Sequence, residues 1–541
     1  MSQCADVSSG AGSAAFRNCD FALPDLQQTR DPSCSVATVP GTAAIGWRFK
    51  MNITATEPVA PAPIEAGSRI RGLDALRGVA LLGILLANVR QMLLPWDIGN
   101  FPVSLGGSER LAWLDWQVFH ALVDLKFLTL FSLLFGVGFA LQGERLLARG
   151  EGFAGVYLRR VFILALLGVA HGLLLYPAEV LMPYAVAGLL LLLAAQKLSA
   201  DNMFRVGLVL LGATALWGYQ LGSLGRVHLG ISALAVALLV LTAIVSWRRN
   251  WLLALGLCAA IVFVAAAIMT WPLHGGAVTA GIANEYHDAQ QQLDAMMTGD
   301  AVHWSNEVRA RHEGGFAALV RLHASQYSAI LFYFAIMLLW RTLGLFMIGA
   351  GLFRSGALTR ATPAVWSRVA AVGLGTGLPL SVLATWLHTQ EIRGEIDWRW
   401  PEILHALSAL PLAAGIAGTV LAWFERQSRS WLWTRLEAAG RMALSNYIGQ
   451  SFVMAALAEP WGLSLYGRLG GPALTLLALT VFTLLALLSH AWLERYRMGP
   501  LEWLWRCGTY WRWLPNRKLR SDDPAGAPAG TAKLSRTRAP R

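Results

Sequence analysis

Residues 159–196 read RRVFILALLGVAHGLLLYPAEVLMPYAVAGLLLLLAAQ. Between Arg160 and Glu179 there is no Asp, Glu, Lys or Arg, and two apolar runs meet at the Tyr176-Pro177 turn. A helix needs about 20 apolar residues to cross about 30 Å of hydrocarbon, so this stretch predicts a tight pair of membrane-spanning helices. Working outward, comparable runs lie near 74–94, 119–142, 160–176, 179–196, 204–222, 229–246, 251–271, 329–353, 365–387, 402–424, 441–459 and 471–491. A merged or re-entrant helix in the hairpins 160–196 or 204–246 changes the total by two. The expectation is an all-α polytopic integral membrane bundle of about 10–12 transmembrane helices. Composition agrees: 55% of the 541 residues are hydrophobic, 14% are charged and the mean hydropathy is +0.49, more apolar surface than a water-soluble globule can bury.

The net charge of +12 is distributed in short clusters between apolar runs and forms no continuous basic face, which argues against nucleic acid as a partner. One alternate set of loops holds Arg69 and Arg71, Arg145 and Arg149, Lys197 and Arg205, Arg248 and Arg249, Arg354 and Arg360, and Arg426 and Arg429. Because Lys and Arg accumulate on the cytoplasmic side, both termini are expected in the cytoplasm and the lipid bilayer is the first partner. The chain divides into a polar tail (1–67), N-terminal membrane helices (68–271), an extracytoplasmic helical loop (272–328), C-terminal membrane helices (329–508) and a basic tail (509–541). Both tails read as disordered. No apolar signal segment is visible in 1–67, and Met51 opens a stretch that would serve as an alternative start.

The five cysteines, Cys4, Cys19, Cys34, Cys258 and Cys507, fit no disulfide framework or close-spaced metal motif. His303, Glu307 and His312 are too loosely spaced to define a metal site, and no metal is expected. Gly373, Gly375 and Gly377 lie inside an apolar run with no strand before them, which predicts close helix packing and not a nucleotide loop. No internal inverted repeat of the transporter kind is visible.

Ionisable groups inside spans are costly and seldom face lipid. Asn88, His120, Asp124, His171 and Glu179 come from four neighbouring predicted helices at similar outward depth. They contain the parts of an acyl-transfer site: His171 as base, Glu179 as the carboxylate that orients it, and an amide for an oxyanion. The competing reading is an interhelical hydrogen-bond network. A second group, Arg77, Ser445, Asn446, His490 and Glu494, lies at the predicted cytoplasmic face, where it is expected to receive an anionic donor such as an acyl-CoA phosphate. Its competing reading is anchoring plus one i,i+4 helix-face pair.

Several segments carry a resemblance. RIRGLDALRGVALLGILLANV from Arg69, KFLTLFSLLFGVGFALQ from Lys126, the 159–193 segment, LGLFMIGAGLFRSGAL near 343–358, GRMALSNYIGQS and GPLEWLWR at 499–506 resemble the YeiB-like family of bacterial inner-membrane proteins, in order over most of 69–508. In that family the segment after the histidine reads Gly-Asp-Ile-Leu, and here Ala178-Glu179-Val180-Leu181 stands in its place, keeping the acid. More remotely, the first two spans are similar to the transmembrane acyltransferases, including the lysosomal heparan N-acetyltransferase and the bacterial polysaccharide O-acetylases. Asn88 matches in context the Asn that this resemblance implies is catalytic. The histidine that follows it there has no clean counterpart, because only His120 stands between Asn88 and Asp124.

The expectation is therefore an inner-membrane protein that transfers an acyl group from a cytoplasmic acyl-CoA to an extracytoplasmic lipid or glycan acceptor. A transporter or exporter would use the same buried polar residues as a pathway, and a non-catalytic envelope protein would use them as structure.

Overall fold

The computed structural model describes residues 70–105, 107–148, 152–221, 279–298, 305–395 and 400–518. The expected spans at 229–246 and 251–271, the alternative start at Met51, His303, and Cys4, Cys19, Cys34 and Cys258 lie outside the described residues.

The described residues are helical and contain no strand, only an isolated bridge between Tyr496 and Arg517. The first half holds α1 (Arg71–Leu93), α2 (Glu109–Leu122), α3 (Lys126–Ala148), α4 (Phe153–Leu174), α5 (Leu181–Lys197) and α6 (Ala200–Leu221). The loop region holds α7 (Thr279–Thr298), α8 (Asn306–His312) and α9 (Phe316–Tyr333), which continues through a π turn at Phe334–Leu338 into α10 (Leu339–Arg354). Then follow α11 (Pro363–Ile392), α12 (Trp400–Gln427), α13 (Trp431–Arg441), α14 (Ala443–Ala458), α15 (Gly471–Arg495) and α16 (Pro500–Tyr510). Among the described residues six helical segments are long and apolar enough to cross a membrane, and the protein is an all-α polytopic bundle.

Two predicted boundaries move. The span expected at 119–142 is interrupted: α2 ends at Leu122, and α3 begins at Lys126 after a break at which Leu125 has a φ of 60°. The boundary at 328 falls inside α9, which buries Leu319, His323 and Tyr327 and packs on α4.

With no hydrophobic drive between helices in lipid, small residues at helix crossings let backbones meet. A Cβ on Gly373 would meet the backbone nitrogen of Gly415 at 2.4 Å, and one on Gly377 that of Leu412 at 2.4 Å, so α11 and α12 form a closely seamed hairpin. This is the close packing expected of the Gly-x-Gly-x-Gly run, except that Gly375 faces open space. Similar contacts join α3 to α10 at Gly136 and Gly349, and α1 to α13 at Gly78 and Gly440. The outward faces are apolar, as lipid requires: Leu158, Phe162 and Leu166 on α4, and Leu476, Leu484 and Leu488 on α15, are exposed.

Candidate active site

The break between α2 and α3 exposes carbonyl groups that a continuous helix would have bonded, and side chains take them over. Ser381 on α11 donates to the Ala121 carbonyl at 2.7 Å and Lys126 Nζ to the His120 carbonyl at 2.8 Å. α2 itself is fixed from the other side. Asp115 accepts from Arg90 of α1 at 2.5 Å and from Thr475 of α15 at 2.8 Å, and the Arg90 guanidinium lies over the Phe119 ring.

These restraints place Asp124 at the break, beside His405 near the start of α12. Asp124 Oδ2 lies 3.0 Å from His405 Nε2 and 3.5 Å from His120 Nδ1. Lys126 Nζ lies 3.1 Å from His405 Nδ1. The same Nζ lies 3.3 Å from His405 Nε2, so the ammonium rests against both ring nitrogens, and with Nε2–H donating to the carboxylate His405 stands between an acid and an ammonium. The rings form a column: His120 stacks on His405 at 4.0 Å between centres, on Trp116 at 5.0 Å and on His388 at 5.1 Å. Trp116 is anchored by its indole N–H on the Asn100 carbonyl at 2.7 Å, and His388 by Glu391 at 3.1 Å. The side chains of Asp124 and His120 are 36% and 14% exposed.

His120 Nδ1, Asp124 Oδ2 and His405 Nε2 lie within 4.8 Å of one another, a spacing that a divalent ion could bridge. The Lys126 ammonium against His405 sets a positive charge beside that position and opposes a second cation.

The five predicted outer residues thus separate. His120 and Asp124 join the cluster above, together with Lys126, His388 and His405, which the sequence reading passed over. His405 lies three residues inside the predicted span 402–424, so the rule that singled out His171 applied equally to it. His171 and Glu179 sit elsewhere, at the α4–α5 turn. His171 is buried against the Tyr447 ring, 5.1 Å between centres, and neither ring nitrogen has a protein partner among the described residues. Glu179 does not bond it. Its carboxylate accepts from the backbone N–H groups of Leu181 and Met182 at the start of α5 and from Tyr327 at 3.0 Å, so it caps the helix that Pro177 turns into. Asn88 is half-buried on α1, about 160° around the helix from the Arg90 that holds α2, and among the described residues no hydrogen bond joins it to the Asp124 cluster.

Contacts do not unite the second predicted group either. Asn446 is buried and exchanges hydrogen bonds with Ser489 at 2.9 and 3.0 Å, while Ser445 donates to Glu502, which also caps the start of α14. His490 and Glu494 form an exposed pair 3.7 Å apart. Arg77 pairs with Asp74 at 2.5 Å and lies within electrostatic range of Arg160, as does Arg506. Arg160 stacks on Trp505, 3.9 Å from the ring centre.

The profile of a family described as protein of unknown function (DUF418) matches residues 352–512, which contain His388, His405 and Glu502. Over 448 residues the chain is 31% identical to the uncharacterized protein YeiB of Escherichia coli (strain K12), covering 80% of this chain and 94% of that one. The chain belongs to the YeiB-like family. This YeiB-like chain is also 24% identical over 473 residues to the uncharacterized protein YxaH of Bacillus subtilis (strain 168), covering 84% and 98% of the two. A Bacillus acidopullulyticus relative, an uncharacterized 39.9 kDa protein in the amylase 3' region, matches at 34% identity over 171 residues, 32% of this chain and 47% of that protein. No solved structure matches. The YeiB-like cluster draws Trp116, His120, Asp124 and Lys126 from outside the profile-matched segment and its other two histidines from within it.

Proposed function

We propose that this protein is a transmembrane acyl transferase with His120 as its general base. The observation that carries the reading is the part-exposed Asp124 carboxylate at the helix break, bonded to His405 and beside the His120 ring. In the reaction the acceptor oxygen or nitrogen attacks the thioester carbonyl and His120 takes its proton. The carbon–sulfur bond then breaks, and the imidazolium returns the proton to the departing CoA thiolate. Asp124 stabilises that imidazolium, and His405 with Lys126 holds Asp124 in place. The three arginines Arg77, Arg160 and Arg506 support an acyl-CoA donor, because clustered guanidinium groups suit its phosphates. The acceptor is a lipid or glycan hydroxyl or amine reached from the Leu93 end of α1.

A second reading, proton-coupled transport, is favoured by a polar lane that continues down α3. Thr129 accepts from Arg341 at 2.5 Å, and one turn further Ser132 bonds Tyr184 at 2.6 Å, all of them buried.

The test uses membranes containing the full chain and radiolabelled acetyl-CoA. Acyl transfer requires label in the lipid or glycan fraction that falls about 100-fold or more in His120→Ala and Asp124→Asn, the scale of a lost general base. Label absent from those fractions, with substrate flux intact, favours transport instead.

A further inference from the structure

Two cations meet at the break between α2 and α3, and among the described residues neither is paired with a carboxylate. Lys126 is fully buried, and its Nζ bonds the His120 carbonyl and lies against the ring nitrogens of His405. Arg341, the third residue of α10, is 7% exposed. Its Nη2 donates to Thr129 Oγ1 at 2.5 Å and reaches the Leu125 carbonyl at 3.5 Å, while its Nε has no protein partner among the described residues.

The charges at this place do not balance. With the histidines neutral, Lys126 and Arg341 set two positive charges against the one negative charge of Asp124, which is itself bonded to His405. The other carboxylates of the surrounding helices are committed elsewhere: Asp115 to Arg90 and Thr475, Glu391 to His388, and Glu179 to the start of α5. The apolar stretch 222–278 contains no Asp or Glu that could supply a counter-charge. An excess of one positive charge therefore sits in an apolar interior. One water molecule would satisfy the Arg341 Nε–H, but it would not neutralise that charge. A buried cation without a counter-charge keeps its desolvation penalty until an anion arrives.

The backbone departs from regular helix on both elements that carry these cations. Leu125, next to Lys126, has a φ of 60°, a left-handed conformation that leucine seldom adopts. The π turn Phe334–Leu338 ends three residues before Arg341. Such departures collect at binding sites, where they re-aim side chains that a regular helix would point elsewhere.

We propose that Arg341 and Lys126 hold a small monovalent anion at this break, supplied by a substrate carboxylate or by free chloride. The inference stands apart from acyl transfer and from transport. The excess charge fixes the valence: one negative charge balances the site, and a second would leave it unbalanced with the opposite sign. Arg341 Nε–H gives the anion a directed, charge-assisted hydrogen bond, and the Lys126 ammonium, within electrostatic range of Arg341, adds its attraction.

The test uses the full chain in zwitterionic nanodiscs and chloride-free HEPES buffer, with radiolabelled chloride and radiolabelled acetate as probes. Saturable binding of one ion per chain is expected, and sulfate should compete at least about tenfold less well than the bound ion. Arg341→Gln should weaken binding about 10–100-fold, the effect of losing one charge-assisted hydrogen bond, and Arg341→Lys, which keeps the charge, should weaken it less. Asp124→Asn removes the one negative charge and should tighten binding. Preference for acetate assigns a substrate carboxylate, and preference for chloride an inorganic ion. Independently of the variants, the melting temperature of wild type should rise with the preferred ion at constant ionic strength, because only the folded chain assembles the site. The proposal is overturned by no saturable binding of either ion, by equal affinity in Arg341→Gln, by weaker binding in Asp124→Asn, by sulfate binding as tightly, or by a melting temperature that does not change.

Discussion

The imidazoles of His120 and His405 lie face to face, with 4.0 Å between ring centres and 12° between planes. Stacking fixes the plane of the His120 ring while leaving its nitrogens in that plane, so His405 acts on the proposed base through its π face as well as through Asp124. His405→Phe keeps the stack and loses the carboxylate bond, whereas His405→Ala loses both. In an acyl-transfer assay the first should cost about 10-fold and the second about 100-fold, with kcat carrying the difference. Equal losses would show that stacking has no part in positioning.

Asp124 and His405 should also be coupled in stability. A double-mutant cycle of Asp124→Asn and His405→Gln, read by thermal unfolding, is expected to give a coupling energy of about 0.5–1.5 kcal/mol, the lower part of the range for contacting residues because Asp124 is open to its surroundings. Additive effects within error would remove the bond from the account.

The hairpin seam gives a paired prediction. Gly373→Ala places a methyl group 2.4 Å from the Gly415 nitrogen and should destabilise by about 1–3 kcal/mol, while Gly375→Ala, with nothing within 4 Å, should be neutral or slightly stabilising. A reversed order, measured by thermal unfolding in detergent, would mean that α11 is rotated from the orientation described.

Glu502 offers a pH test outside the membrane-spanning segments. Burial holds its carboxyl above the ordinary range, against the opposing hydrogen bonds from Ser445 and Leu444. A carboxyl whose folded pKa is raised keeps its proton longer in the folded state than in the unfolded one. Its contribution is therefore fully present below about pH 4, near the unfolded glutamate value, and declines as pH rises through the folded pKa. The stability of wild type relative to Glu502→Gln should fall over that interval. A difference that grows with pH would contradict it.

The arginine distribution predicts the sidedness. Single cysteines placed at exposed positions of α7, such as Glu285→Cys or His287→Cys in a Cys-free background, should react with an impermeant maleimide in intact cells, and a cysteine at Lys518 should not. Labelling of Lys518→Cys alone would invert the topology.

Much of the bundle was legible because a span is a local pattern. The run at 74–94 corresponds to α1 and that at 471–491 to α15, and Gly373 and Gly377 announced a close crossing. The break at Leu125 was not legible, since the residues that stabilise it, Ser381 and Arg341, act from distant helices. The candidate site was half legible for the same reason. His120 and Asp124 stood out as polar groups in apolar sequence, but the partner of Asp124 lies 281 residues away, and nothing local couples the two. The expected pairing of His171 with Glu179 failed on a local competition. The free N–H groups at the start of α5 are the nearer partners for that carboxylate.

The separation of Lys126 from His405 also sets a timetable. The two residues lie 279 positions apart, and at about 5–20 residues per second the ribosome needs roughly 14–56 s to make the second after the first. Throughout that interval a nascent chain carries Asp124 and Lys126 in an apolar segment, each costly to hold in hydrocarbon, before the imidazole that will lie between them exists. Biogenesis of this protein is therefore expected to pass through a waiting state in which its first membrane helices are chemically incomplete. The arrival of α12 ends it, so chains truncated before that helix are the ones a membrane protease should remove first.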